Sequence, residues 1–183
     1  MGESELDDFG AFYRRTYAAA YRTALGITSN GPLAEDVAQE AFCSAYRGRA
    51  RFRGAVPAEV WLQRIVVNEA FDQLRRGRVR PTVELDPDLA IQGGEIPAAA
   101  VERMTLLRAV ECLNPRQRAA IVLRYFHGYP LRTVGAVLGT SEGGATMLVQ
   151  RALVTLRQTI GDRTDPIESA TGAGGPEEAH GGR

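Results

Sequence analysis

Residues 130–156 read PLRTVGAVLGTSEGGATMLVQRALVTL, two helical patterns on either side of a Gly-Thr turn. Pro130 suits the opening of a short helix that runs to Leu138, Gly139-Thr140 turns the chain, and Ser141 is placed to cap a last helix reaching about Ile160. Ala145, Val149, Ala152 and Leu156 recur at core spacing on that last helix. Two helices joined by a tight glycine-containing turn make a helix-turn-helix. Such a hairpin either packs as plain structure or lays its second helix in a major groove with the first turns at the base edges. In the second case Ser141, Thr146, Gln150 and Arg151, with Met147, are the outward candidates.

Upstream of the hairpin, Asn114-Pro115 is an N-cap followed by a first-turn proline. The helix it opens carries Ile121, Val122 and Tyr125 and ends at Gly128. Val101, Leu106, Leu107, Val110 and Leu113 precede it at core spacing, so residues 100–160 read as one helical domain. Arg116, Arg118 and Arg132 are its candidates for gripping phosphate. Before it, residues 77–99 collapse into prolines, glycines and carboxylates, the composition of a flexible acidic linker. Residues 1–76 read as one domain, with helical periodicity throughout 6–76. Phe9, Phe12, Tyr13, Tyr17, Ala20 and Ala24 form one stripe, Val37, Ala41, Phe42 and Ala45 a second, and a third helix runs from Pro57 to about Arg76. The tail 161–183, rich in Gly, Glu and Thr, reads as disordered. The expected fold is therefore all-α: two small helical domains joined by a flexible acidic linker, the second containing the helix-turn-helix.

At 183 residues and 44% apolar content the chain can build one ordinary core or two small ones. No stretch approaches the roughly 18 apolar residues of a membrane span, and the acidic start is unlike a signal peptide, so membrane insertion is not expected and the cytoplasm is the default. Two cysteines far apart and two histidines give no metal-ligand spacing and no disulfide framework. No Ser-His-Asp set, phosphate-cradling glycine loop or isolated carboxylate pair argues for catalysis, a metal or a cofactor. The net charge of zero hides segregation: nine arginines face three carboxylates over residues 47–80, and six face one over 112–160, with acidic blocks between and around them. Two separate basic blocks suggest two contacts with a polyanion.

The third helix supplies a sharper signal. Trp61, Arg64, Asn68, Asp72 and Arg75 fall within an arc of roughly 80° on a helical wheel, while Leu62, Ile65, Val66 and Ala70 face the other way. An aromatic ring among guanidinium groups is what single-stranded DNA needs, since bases stack and phosphates are held. The bland alternative is a half-buried Trp61 with arginines that only solubilise. The preceding loop sets Arg47, Arg49, Arg51 and Arg53 around Phe52 and two glycines, suited to wrapping a backbone or pocketing an extruded base, or to being a plain basic loop.

Taken in order, these motifs resemble the extracytoplasmic-function sigma factors of bacterial RNA polymerase, members of the sigma-70 superfamily, over residues from about 6 to 158. Leu33-Ala34-Glu35-Asp36-Val37-Ala38-Gln39-Glu40-Ala41-Phe42 is similar to the family's polymerase-docking segment. Arg51-Phe52-Arg53-Gly54, Val60 to Ile65, Asn68 to Asp72 and Leu74-Arg75-Arg76 resemble its strand-opening, minus-ten-reading part. Leu113 to Arg118, Leu123 to Phe126, Leu138-Gly139 and Ser141-Glu142-Gly143 resemble its minus-thirty-five reader. The resemblance implies that Asp36, Gln39 and Glu40 dock on the β′ clamp helices, that Arg51, Phe52, Arg53, Trp61, Arg64, Asn68, Arg75 and Arg76 meet melted DNA, and that the second domain reads upstream DNA. It implies core RNA polymerase (β′ and β subunits) and promoter DNA as partners, and an anti-sigma factor as a candidate third. The departures cluster in the last two helices. Thr146, Met147 and Leu148 lack two cations usual in the family, Gly135 stands where alanine is usual, and Gly144 weakens its helix by about 1 kcal/mol relative to alanine. Two other readings stay open: a helix-turn-helix regulator that binds duplex DNA alone, and a sigma-derived interaction protein with weakened upstream recognition.

Overall fold

In the computed structural model the described residues are 6–77 and 108–161, and among them there is no β-strand. The expected linker, all but Gly77, and all but the first residue of the expected tail lie outside the described residues. Helix α1 spans Phe9–Thr28, α2 Gly31–Gly48 and α3 Ala58–Arg76, with a 3-10 turn, Arg49–Arg51, between the last two. After a helical turn at 108–111 come α4, Pro115–Ile121, a π-helical turn, Val122–Phe126, then α5, Leu131–Leu138, and α6, Glu142–Gly161.

Local chemistry sets these boundaries. The Asp8 carboxylate accepts from the amide of Ala11 at 2.8 Å and caps α1, which ends as Ser29 turns left-handed at φ 53°. Asn30 caps α2 by accepting from Leu33 at 2.8 Å, with Pro32 in the first turn. Asn114 and Gln117 form a reciprocal capping box on α4, each bond 3.0 Å. Gly139 closes α5 at φ 66°, a left-handed cap that glycine adopts without strain. The Ser141 hydroxyl then accepts from Gly144 at 3.1 Å to open α6.

Helices α1, α2 and α3 pack around Phe12, Ile27, Val37, Leu62, Val66 and Val67, all fully buried. In the hairpin, Ala145, Val149, Ala152 and Leu156 are buried, as their spacing predicts. The π turn adds a residue to the helical ring, and there Leu123 is fully buried while Tyr125 and Phe126 are exposed. Tyr13, a member of the aromatic stripe of α1, is exposed.

The core also does not stop at the first three helices. The same apolar cluster continues into Ala119, Ala120, Leu123, Val134 and Val137, because α1 packs on α4 and α3 packs on α5. A satellite cluster of Ala109, Leu113, Ala152 and Leu156 closes the far side of α6.

Candidate polymerase and nucleic-acid interfaces

Helix α2 buries Ala34, Val37, Ala38 and Ala41 and turns Asp36, Gln39 and Glu40 outward, all exposed. Glu40 accepts from Arg47 at 2.8 Å, and the Gln39 amide donates to Glu35 at 3.4 Å. Both are surface contacts that a partner can replace at small cost. Beside this polar face lies a groove that periodicity did not reveal, lined by Phe9, Tyr13, Phe42, Cys43 and Tyr46. Its rings pack edge to face, Tyr13 on Phe42 at 4.7 Å and Phe9 on Tyr46 at 5.2 Å. The missed signal was the pairing of aromatics four residues apart on two helices, which only tertiary packing makes into one groove.

The basic loop is ordered by its own residues. The Arg49 guanidinium stacks 3.6 Å over the Tyr46 ring and donates to its carbonyl at 2.6 Å. Phe52 folds back on Trp61, ring centroids 5.1 Å apart, so Arg51 and Arg53 point to solvent on either side of a half-buried aromatic pair. Gly54 turns the chain at φ 68°. Beyond Trp61, Arg64, Asn68, Arg75 and Arg76 are exposed along α3. Asp72 is ion-paired with Arg75. Of the arc expected of the third helix, Arg64, Asn68 and Arg75 are exposed, while Asp72 is half-buried and Trp61 is half-buried against the core; Leu62, Val66 and Ala70 are buried behind them and Ile65 is half-buried. Gln63 and Val67 are also buried, though neither was singled out from the sequence.

In the second half of the chain the expected contact residues divide. Arg132, Ser141, Gln150 and Arg151 are exposed, and Thr146 is half-buried with its hydroxyl donating to the Glu142 carbonyl at 2.9 Å. Met147 is exposed, whereas Leu148 packs against the core. Arg116 is exposed but tethered: it donates to the Leu138 carbonyl at 3.0 Å and lies 5.9 Å from the Phe71 ring of α3. Arg118 departs from expectation. It is buried, 6% exposed, and donates to the Ser29 hydroxyl at 2.8 Å, because its turn of α4 faces α1 and not solvent. Burial lowers its pKa, an effect the charge of Glu111 opposes.

Among the described residues no His, Cys, Asp and Glu cluster fits a metal ion, and no helix is long and apolar enough to cross a membrane.

Residues 12–80 match the Sigma-70 region 2 family and residues 103–156 the Sigma-70 region 4 family. The ECF RNA polymerase sigma factor SigM of Mycobacterium tuberculosis is 32% identical over 155 residues, 84% of this chain and 77% of the relative. The RNA polymerase sigma factor CarQ of Myxococcus xanthus is 33% identical over 138 residues, 74% of this chain and 79% of the relative. Among solved structures, the sigma factor RpoE in complex with the anti-sigma factor NepR from Bartonella quintana shares the fold with a TM-score of 0.69 and 24% identity, covering 84% of this chain and 97% of that one. The polar face of α2, the arginine-lined aromatic pair and the helix-turn-helix thus lie within the two matched regions, and the chain belongs to the extracytoplasmic-function sigma factors, which direct transcription initiation by RNA polymerase.

Proposed function

We propose that the chain docks on core polymerase through α2 and opens promoter DNA through α3 and the loop before it, acting in the cytoplasm as a binding subunit without catalysis of its own. Asp36, Gln39 and Glu40 meet the β′ clamp helices, with the aromatic groove as the apolar flank of that contact. Phe52 and Trp61 form the stacking platform for unpaired bases, while Arg51, Arg53, Arg64, Arg75 and Arg76 hold the flanking phosphates and Asn68 meets base edges. Arg132, Ser141, Gln150 and Arg151 face upstream duplex DNA, and the same region meets the β subunit. The RpoE relative was solved with its anti-sigma factor, and another relative of the same fold, CnrH, with the cytosolic domain of CnrY. An anti-sigma protein is the corresponding partner proposed for this chain.

The observation that carries this reading is the Phe52–Trp61 pair at 5.1 Å, set among exposed arginines on a helix whose other face is core. Trp61→Ala and Arg64→Ala should reduce open-complex formation on duplex promoters more than on templates already melted around the start site, because stacking and phosphate contacts help drive strand separation. Equal losses on both templates would count against it. Reading both promoter elements also demands reach. Elements about 25 base pairs apart are separated by roughly 85 Å at about 3.4 Å per base pair, whereas a 20-residue helix spans only about 30 Å. The two regions must therefore come apart when both are engaged.

A further inference from the structure

We propose that α6 selects an A·T step in upstream duplex DNA, with Met147 contacting a thymine methyl and Gln150 pairing with an adjacent adenine. The proposal rests on the reading that α5 and α6 face upstream DNA, and it names the bases that this face selects. In a helix-turn-helix the first turns of the second helix meet base edges while the preceding helix crosses the backbone. The early turns of α6 bury Ala145 and Val149 and leave Gly143, Met147, Gln150 and Arg151 exposed. At 100° per residue these four, with exposed Val154, fall within an arc of roughly 100° centred near Met147.

The middle of that arc carries no charge. Gly143, Met147 and Val154 run along it, and Met147 and Val154 are 48% and 50% exposed. Nothing in the fold requires glycine at 143, since a Cβ there would meet only the Ser141 hydroxyl oxygen at 3.9 Å. The bare backbone lets the start of α6 come close to a groove floor. Thr146, beside the arc, spends its hydroxyl proton on the Glu142 carbonyl at 2.9 Å. Leu148 packs against the core. Met147 is therefore the side chain that the second turn presents to a base.

Its chemistry fixes what it can read. A thioether donates no hydrogen bond and accepts only weakly, and the one apolar feature on the major-groove edge of a base pair is the thymine methyl. The Gln150 amide offers a donor and an acceptor together, the pair that matches adenine N6 and N7. The two residues lie about 4.5 Å apart along the helix axis, close to the roughly 3.4 Å step between base pairs, so they address the same or neighbouring pairs. Six arginines against one carboxylate over residues 112–160 favour DNA over a protein as the occupant, and exposed Arg132, Arg151 and Arg157 are placed to hold phosphates around the apolar centre.

The test uses the full chain assembled with core polymerase and a duplex library randomised upstream of a start region that is already melted. The bound fraction should be enriched in an upstream element containing thymine next to adenine. Replacing that thymine by deoxyuridine removes only the methyl, and should weaken binding about fourfold, the equivalent of about 0.8 kcal/mol for one buried methyl group. Met147→Ala should abolish the difference between thymine and uracil, and Met147→Leu should keep it. Gln150→Ala should relax the adenine preference and leave the uracil effect in place. An enriched element without an A·T step, a native chain indifferent to uracil, or a uracil effect that survives Met147→Ala overturns the proposal. Loss of core polymerase association in Met147→Ala, with upstream selection unchanged, also overturns it and assigns the stripe to a protein contact. No upstream enrichment at all, in an assembly that still binds the melted region, refutes instead the parent reading of α5 and α6 as facing DNA.

Discussion

Replacing Gly135 by alanine should destabilise the protein even though alanine is the better helix former. Gly135 lies in α5, where α5 turns back on the start of α6. A Cβ there would lie 2.9 Å from the carbonyl oxygens of both Thr140 and Ser141 and 3.0 Å from the Ser141 carbonyl carbon. Ordinary contact begins near 3.4 Å, and all three obstacles are backbone. The hairpin turn is also pinned at that point, since the Thr140 amide donates to the Gly135 carbonyl at 2.9 Å. Relief therefore requires α5 and α6 to separate by a few tenths of an ångström. Overpacking of this kind costs about 1–3 kcal/mol, against about 1 kcal/mol gained in helix propensity. With three backbone obstacles at 2.9–3.0 Å the cost falls in the upper part of that range, about 2–3 kcal/mol, so the net loss should be about 1–2 kcal/mol, or roughly 2–8 °C in Tm at this chain length. Gly144→Ala provides the contrast, because its Cβ would meet the Thr140 hydroxyl, a side-chain end that can rotate away. Thermal denaturation of both variants checks the argument. An unchanged or raised Tm for Gly135→Ala would refute the claim that this turn needs a residue without a side chain.

Reversing charge at Asp36 and Glu40 together should weaken core polymerase binding with helicity unchanged, since both project from α2 opposite its buried face. Pull-down or titration with core polymerase, alongside circular dichroism, reads this. Thr146→Arg with Met147→Arg should raise the affinity of the full chain for upstream duplex DNA and steepen its salt dependence, because each new phosphate contact releases counterions. Exposed Met147 is the better second site than Leu148, which packs on the core. His127 should make stability pH-dependent. Burial lowers its pKa below the ordinary 6.5, so below about that pH the unfolded chain binds more protons than the folded one. Tm should then fall as pH drops through 6.5 toward the lowered value and be flat above it with respect to this residue, and His127→Gln should flatten the acid limb of a Tm–pH series.

Much of this was legible from spacing. The α3 stripe follows from helical periodicity because Leu62, Val66 and Ala70 sit at three- and four-residue intervals, and their burial fixes the opposite face. The caps at Asn114 and Ser141 were equally readable, since each satisfies amides only a few residues away. The π turn at Val122–Phe126 was not legible, because it breaks the helical period and no local residue announces it. Arg118 was misread for a different reason. An arginine at the start of a helix reads as solvent-facing unless its tertiary neighbour is known, and that neighbour, Ser29, is 89 positions away. Gly135 was visible as a departure from the family, but only the approach of the Thr140 and Ser141 carbonyls explains it.

Promoter opening by this chain is decided by mapping transcription start sites on genomic DNA with core polymerase alone and with the purified chain added. The chain should bring a defined set of new start sites, each preceded by shared upstream sequence and each lost with Trp61→Ala. Stable association with core polymerase that yields no start sites would refute promoter opening, and would identify a chain that kept polymerase docking while losing the ability to open promoters.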